Sequence, residues 1–344
     1  MDLNPWEGIM KPVVTTAIAA ILLALPAMAD PFRLIVTDLE TPLVPNSVMD
    51  LALQGGYFER AGVEVELVRV QQTPLAVAAL QAGEGEMANI AVDALIQLVA
   101  RDGGDFRAVV SPNKSLPFLI AAQGRIATPA DLAGKSFGVG RIGSLDHSLS
   151  MKVLAAAGVD VAGLEIVTLG QPAVRAQALL AGQVDATTMS IGTLLSLPDS
   201  DSLNVVIDAD AYYASSPAVT KVNVVSAETL ANRGAEVEAV IEALVLASRH
   251  FAADPANWVD MMATARPDIE RADLEELAMA YAKSWSVNGG LQADELQFTS
   301  DWLYGGEDFK GLPAVPLADW AAFGPLDAVL ARVGAAEGMD ALSR

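Results

Sequence analysis

The chain of 344 residues contains no cysteine. That absence excludes disulfides, thiolate metal sites, a cysteine nucleophile and a lipidated N-terminal cysteine. A chain of this size has core enough to fold without cross-links. Histidine is nearly missing: there are 2, His147 and His250, and no group of His, Asp and Glu has metal-ligand spacing. Basic residues are also scarce, 21 against 43 acidic ones, giving a formal net charge of −22. A field of that sign repels phosphate backbones and anionic lipid, which argues against nucleic-acid and membrane-surface partners. Outside the N-terminus no apolar run approaches the about 20 residues needed to span a bilayer.

The N-terminus is where apolar residues concentrate. Lys11 precedes an uncharged run from Pro12 to Leu25, which ends at Pro26-Ala27-Met28-Ala29 before Asp30. A cation, a short apolar stretch and a small-x-small ending predict a signal peptide over residues 1–29, cleaved after Ala29. Met10-Lys11 alone would begin such a signal. The competing reading, a buried N-terminal helix, has no need of the Ala-x-Ala ending. Residues 30–344 exceed the roughly 100–200 residues usual for one domain, so two domains are the default.

Apolar periodicity alternates between 2 and 3.6 along the rest of the chain. Strands are predicted at 33–37, 63–68, 87–91 and 107–110, with helices at 48–55, 74–82 and 92–100 between them. A second series follows, with strands at 135–139, 164–168, 184–188 and 204–207 and helices at 144–157 and 172–181. Such alternation predicts βα units and mostly parallel sheets covered on both faces. Phe118–Ala122 and Lys221–Val225 are expected as long strands crossing between the two series. After Ser226 the pattern is all helical, with segments at 236–252, from Asp254-Pro255 onward, 274–282, 294–304 and 326–333. Ala79-Leu-Gln-Ala-Gly83 and Ala178-Leu-Leu-Ala-Gly182 occupy the same place in the two series, which points to two similar α/β lobes.

Several segments, in this order, carry a family resemblance: Ala52-Leu-Gln-Gly-Gly-Tyr-Phe-Glu-Arg-Ala-Gly-Val-Glu-Val-Glu66, the two Ala-Leu-x-Ala-Gly turns, Asp131-Leu-Ala-Gly-Lys-Ser-Phe-Gly-Val-Gly140 and Val224-Val-Ser-Ala-Glu-Thr-Leu230. The chain resembles the NMT1/THI5-like solute-binding proteins, which serve ABC importers of nitrate, sulfonates, taurine and thiamine-precursor pyrimidines. The resemblance implies a type II periplasmic-binding fold: lobe 1 from 30–115 plus 219–344 with the helical tail, lobe 2 from 116–218, and a ligand in the cleft between them. It further implies a monomeric receptor handing a small solute to an importer permease. With an export signal and no lipid-anchoring cysteine, the expected location is the periplasm. The alternative is a sensor subunit presenting its solute to a membrane kinase. Relatives that make the thiamine pyrimidine need iron-binding cysteines, so an enzyme of that kind is set aside.

Motif by motif, catalysis finds no support. Gly138-Val-Gly-Arg-Ile-Gly143 spells G-x-G-x-x-G, but Gly138 lies inside a predicted strand. Leu169-Gly170-Gln171 stands where an acidic residue should meet a ribose. Ala133-Gly-Lys-Ser136 has Pro129 where a Walker A needs glycine, and Thr188-Met-Ser-Ile-Gly192 lacks the first glycine of a nucleophile elbow. No cofactor, metal or catalytic residue is expected. What survives is a glycine-rich turn opening a helix, whose free N–H groups attract polar or anionic groups. Gly143 and Ser144 are therefore ligand candidates, although Asp146 can satisfy the same dipole. His147 either bonds the solute or is structural.

In parallel sheets, ligands meet the carboxyl ends of strands. Those ends supply Asp38, Leu39, Ile90, Ala91, Asn113, Met189 and Ser190 as further candidates. Phe118, Tyr212 and Tyr213 either stack on a planar solute or pack the lobe. Arg141 and Arg175 either pair with a carboxylate or sulfonate or are ordinary surface charges. The expected solute is a small organic anion, an aromatic or heterocyclic molecule, or both.

Overall fold

The computed structural model describes residues 1, 30–114, 118–143, 145–338 and 340, with only the backbone of Asp102 and Leu145. The expected signal peptide and Ser144 lie outside the described residues. Ten strands are described: β1 (Phe32–Val36), β2 (Val65–Arg69), β3 (Met87–Ala91), β4 (Phe106–Val110), β5 (Phe118–Gln123), β6 (Ser136–Val139), β7 (Glu165–Thr168), β8 (Ala186–Ser190), β9 (Leu203–Ile207) and β10 (Lys221–Ser226). They form two sheets with orders β2-β1-β3-β10-β4 and β7-β6-β8-β5-β9. β1 runs parallel to β2 and β3, with Phe32 opposite Val65 and Leu34 opposite Met87. Leu34, Ile35, Met87 and Ala88 are wholly buried, as strands covered on both faces require.

Each sheet contains one antiparallel strand, β10 in the first and β5 in the second, and each arrives from the other lobe. Both carry a register shift at a matching place, between Asn223 and Val224 and between Ile120 and Ala121. The expectation that these two strands span both lobes is corrected. Each hydrogen-bonds on both sides within its own sheet, so it stays there. The crossings are the connections 111–117, described as far as Lys114, and 216–220.

The repeated Ala-Leu-x-Ala-Gly segments are two copies of one helix ending. Gly83 and Gly182 have φ of 73° and 72°. The N–H of Gly83 goes to Leu80 and that of Glu84 to Ala79, at 3.1 and 2.9 Å. Gly182 and Gln183 repeat this on Leu179 and Ala178 at 3.0 and 2.9 Å. A left-handed glycine closing paired 5→2 and 6→1 bonds terminates the helix and turns the chain into the next strand.

Several elements depart from the sequence reading, among them the unpredicted short helices Tyr57–Arg60 and Ile191–Leu195. The long helix starts at Ala227, capped by the Ser226 hydroxyl, and runs to Ala253 through a non-helical Arg233. The polar run Asn232-Arg233-Gly234 hides its first turns from a reading of apolar periodicity. Tyr212 and Tyr213 sit on a short helix, Ala209–Ser215, whose Asp208 cap accepts from Ala211 N–H at 2.8 Å. The tail packs on lobe 1: Val240, Leu244, Phe251, Trp258 and Leu326 belong to the same core as β1 and β3. Residues from Pro31 onward pack as one unit holding both sheets. The lobe boundaries at 115/116 and 218/219 are a proposal about which parts move together.

Candidate functional site

At the carboxyl end of β1, Thr37 and Asp38 line an open hollow with Gln71. Lys221, the first residue of β10, lies opposite Ala91 at the end of β3. Its ammonium donates to Thr37 Oγ1 at 2.7 Å. Among the described residues no carboxylate is in ion-pair contact with it. Burial pulls the Lys221 ammonium below its ordinary value, and the nearby Asp38 charge partly restores it. Asp38 moves the other way: burial pushes its carboxyl up, and Lys221 partly offsets this. Sequence reasoning missed Lys221, because a lysine opening a strand reads as an exposed strand end. The signal was its place, directly after the return crossing and ahead of Val222-Asn-Val-Val225.

A buried amide network lies beside Lys221. Asn89 Nδ2 donates to Asn223 Oδ1 at 2.7 Å and to Asn113 Oδ1 at 3.1 Å. Asn113 Nδ2 donates to Asn46 Oδ1 at 2.6 Å. Ser111 donates its hydroxyl to the Lys221 carbonyl at 2.6 Å. The outgoing crossing is thus tied to the strand that brings Lys221, so the ammonium sits on rigid backbone.

Lobe 2 presents the glycine turn after β6. Two of its N–H groups are engaged within the chain: Gly140 donates to Asp146 Oδ2 at 3.3 Å and Gly143 to His147 Nδ1 at 3.1 Å. Asp146 pairs with Arg175 Nη1 at 3.1 Å. Arg175 is 4% exposed and also donates to the carbonyls of Gly170 and Thr188, both at 3.1 Å. Burial raises the Asp146 carboxyl, and Arg175 and the Gly140 N–H partly offset it. Gly140 and Gly143 thus find acceptors within the chain, in Asp146 and His147, while ligand contact at Gly143 and Ser144 stays a proposal, with Gly143 on the wall of the cavity between the lobes. Arg175 is no surface charge; it holds the turn from beneath.

Between the lobes lies a cavity of about 260 Å3. Asp93 and Gln97, one turn apart on the helix Val92–Asp102, form its lobe 1 wall. Arg141, Gly143 and Asp146 face them from lobe 2, and Trp302 and Asp308 close it from the tail. The Asp93 carboxyl is raised by burial, against the pull of the Ala94 N–H. Arg141 bridges to Asp308 at 2.8 Å across the cavity mouth. Asp93, Gln97 and the tail residues carried no sequence signal for this site, since nothing in a local pattern says what the tail covers.

The remaining candidates divide. Asp38 and Leu39 line an open hollow with Gln71, and Leu39 is 59% exposed. Ala91 precedes the helix Val92–Asp102 at its N-cap position. Ser190 caps the helix Ile191–Leu195, accepting from Thr193 N–H at 3.1 Å. Ile90 and Met189 are 0% exposed and belong to lobe cores, so they present no surface to a solute. Asn113 is equally buried and serves the amide network. Phe118 packs on Tyr212 with ring centroids 5.8 Å apart, inside the lobe 2 core, so this pair is packing and not a stacking platform. Burial pushes the Tyr212 phenol well above its ordinary value. Tyr213 turns the other way and its hydroxyl donates to Glu295 of the tail.

The family described as NMT1/THI5 like matches residues 48–257. The chain belongs to the NMT1/THI5-like family. No curated protein sequence matches it. Among solved structures it is similar to the periplasmic aliphatic sulphonate binding protein SsuA from Escherichia coli, with TM-score 0.66, 16% identity and coverage of 86% of this chain and 92% of that one. It is similar to the alkanesulfonate-binding protein SsuA from Xanthomonas axonopodis pv. citri bound to MOPS, with TM-score 0.61, 21% identity and coverage of 85% and 98%. It is also similar to the desulfurization enzyme DSZB, with TM-score 0.62, 17% identity and coverage of 88% and 99%. These likenesses show the fold of this NMT1/THI5-like chain, the periplasmic-binding-protein fold with its two α/β sheets.

Proposed function

We propose that this protein is a periplasmic receptor, without a lipid anchor, that binds a small organic anion between its lobes and delivers it to an ABC importer. The observation that carries the anion is Lys221: a half-buried ammonium at the carboxyl edge of sheet one whose one hydrogen-bond partner among the described residues is a hydroxyl. A cation held in place with no carboxylate in ion-pair contact among the described residues, and only the nearby Asp38 charge to offset it, favours an oxyanion such as a sulfonate or carboxylate. Membership of the NMT1/THI5-like family and the fold shared with sulfonate-binding proteins support the same reading. Transport as a monomer, with no chemistry on the solute, is preferred over catalysis. The chain has no thiol to act as nucleophile. Of its two histidines, His250 Nδ1 is engaged by the Tyr57 hydroxyl and His147 Nδ1 by a backbone N–H.

The test is a thermal-shift screen followed by calorimetry, using alkanesulfonates, short carboxylates, nitrate, neutral pyrimidines and flavins. A ligand at 100 times its Kd adds about 2.7 kcal/mol of stability. An organic anion is expected to give the largest shift, unchanged on recovery. If only neutral heterocycles stabilise the protein, the anion reading fails. Conversion of the bound molecule would defeat the receptor reading.

A further inference from the structure

The tail helix Ala293–Tyr304 touches both lobes and both crossings at successive positions. Glu295 accepts from Lys114 Nζ on both oxygens, at 2.8 and 2.7 Å. Lys114 belongs to the outgoing crossing and is 1% exposed. The hydroxyl of Tyr213, just before the return crossing, donates to the same carboxylate. One turn along, Thr299 Oγ1 accepts from the N–H of Val219 in the return crossing at 2.9 Å. The two crossings are also joined directly, Thr220 donating to the Lys114 carbonyl at 3.4 Å. Glu295 and Thr299, four residues apart on one helix face, therefore grip both crossings.

Another face of the same helix meets lobe 2. Phe298 and Trp302 stack at 13° with centroids 6.4 Å apart. Lys152 of lobe 2 sits over both rings, at 5.5 and 5.0 Å. Trp302 Nε1 donates to Ser148 Oγ at 3.1 Å. Leu296 and Leu303 meanwhile belong to the lobe 1 core.

We infer that this helix is a third link between the lobes, fixed at its Glu295 end and sliding at its Trp302 end. The fixed end is a buried charge cluster of two donor groups and three hydrogen bonds, and separating it strands a charge away from water. The sliding end holds the Trp302–Ser148 hydrogen bond, ring–cation contacts and the non-directional packing of partly buried Phe298 and Trp302 on the lobe 2 core, contacts without a buried ion pair that re-form as lobe 2 shears along them. Hinge motion then becomes rotation about the Lys114–Glu295 cluster with shear along the aromatic face. The inference is independent of which solute binds.

With no native cysteine, two introduced cysteines accept spin labels uniquely. Glu84→Cys and Gln183→Cys place them at exposed, matching turns on opposite lobes, and pulsed electron resonance reads the distance distribution. The parent should give one narrow distribution. Trp302→Ala should shift its mean while keeping it narrow. Lys114→Met with Glu295→Leu, which replaces the buried pair by apolar groups, should broaden it; if that variant does not fold, Glu295→Gln takes its place. The inference is overturned if both folded variants reproduce the parent distribution, or if Trp302→Ala broadens it as much as the Glu295 change.

Discussion

The two lobes share one topology yet spend their charges in opposite ways. In lobe 2 the group at the carboxyl edge is Asp146, closed on itself by Arg175 and the Gly140 N–H. In lobe 1 the corresponding edge offers Lys221, held by Thr37 alone among the described residues. Sheets of matching strand order thus produce one edge that is finished and one that waits for a partner. Under the proposed function, lobe 2's cluster serves stability and lobe 1's lysine recognition, and each role can be broken separately.

The largest effect is expected from Arg175→Ala. It leaves Asp146 buried without its cation, which costs about 3–5 kcal/mol and shows as a lower denaturant midpoint. The loss should shrink in acid. The freed carboxyl, already raised in the parent, then takes up a proton more readily in the folded than in the unfolded chain. Binding per surviving folded molecule should change little; a selective loss of affinity would reverse the comparison.

Next comes Lys221→Met, with about 1.5–3 kcal/mol lost from anion binding and no loss of melting temperature. Calorimetry across pH sharpens this. Affinity for a sulfonate should fall as pH rises through the Lys221 value, which lies below its ordinary 10.5. It should rise as acid neutralises Asp38, whose value lies above 3.8. Bound anion favours charged lysine and neutral carboxyl, so both limbs run the same way. In the variant the alkaline limb should be flat.

A smaller effect is expected at Gly143, whose φ is +82° and whose missing side chain would point into open space. Gly143→Val should cost about 1–3 kcal/mol of backbone strain, and Gly143→Ala about as much. Equal costs mark a conformational requirement, whereas a much larger cost for valine would mark close packing. Smallest is Arg141→Ala. Its pair with Asp308 is exposed on both sides, 64% and 45%, and should contribute under about 1 kcal/mol to stability, read by thermal melting at low and high salt.

What the sequence makes legible is what local pattern controls. Alternating periodicity locates the strands, and Gly83 and Gly182 announce the same turn twice because only glycine takes that φ cheaply. A single Asp208 cap is too slight a signal to reveal a seven-residue helix, so Tyr212 reads as loop and its inward orientation stays hidden. Asp38 is legible because strand ends are marked by composition. Lys221 and Asp93 are not, because what faces them comes from elements far along the chain. The Gly140–Ser144 turn is legible too, but its occupancy by Asp146 and His147 depends on side-chain direction, which spacing alone does not give.

The way β10 completes sheet one has a consequence for how the molecule is made. Lobe 2 is continuous, from Phe118 to Ser215, and can close as soon as its own residues are present. Sheet one cannot: β3 and β4 are not neighbours, and the strand that joins them ends at Ser226. Until then both keep an unpaired edge, the hazard that long-range pairing creates during folding. Sheet one therefore cannot be completed before residues 221–226 are present, whereas all strands of sheet two lie within 118–207. The segment that arrives last, beginning at Lys221, joins the sheet and sets the charge at its edge in the same step.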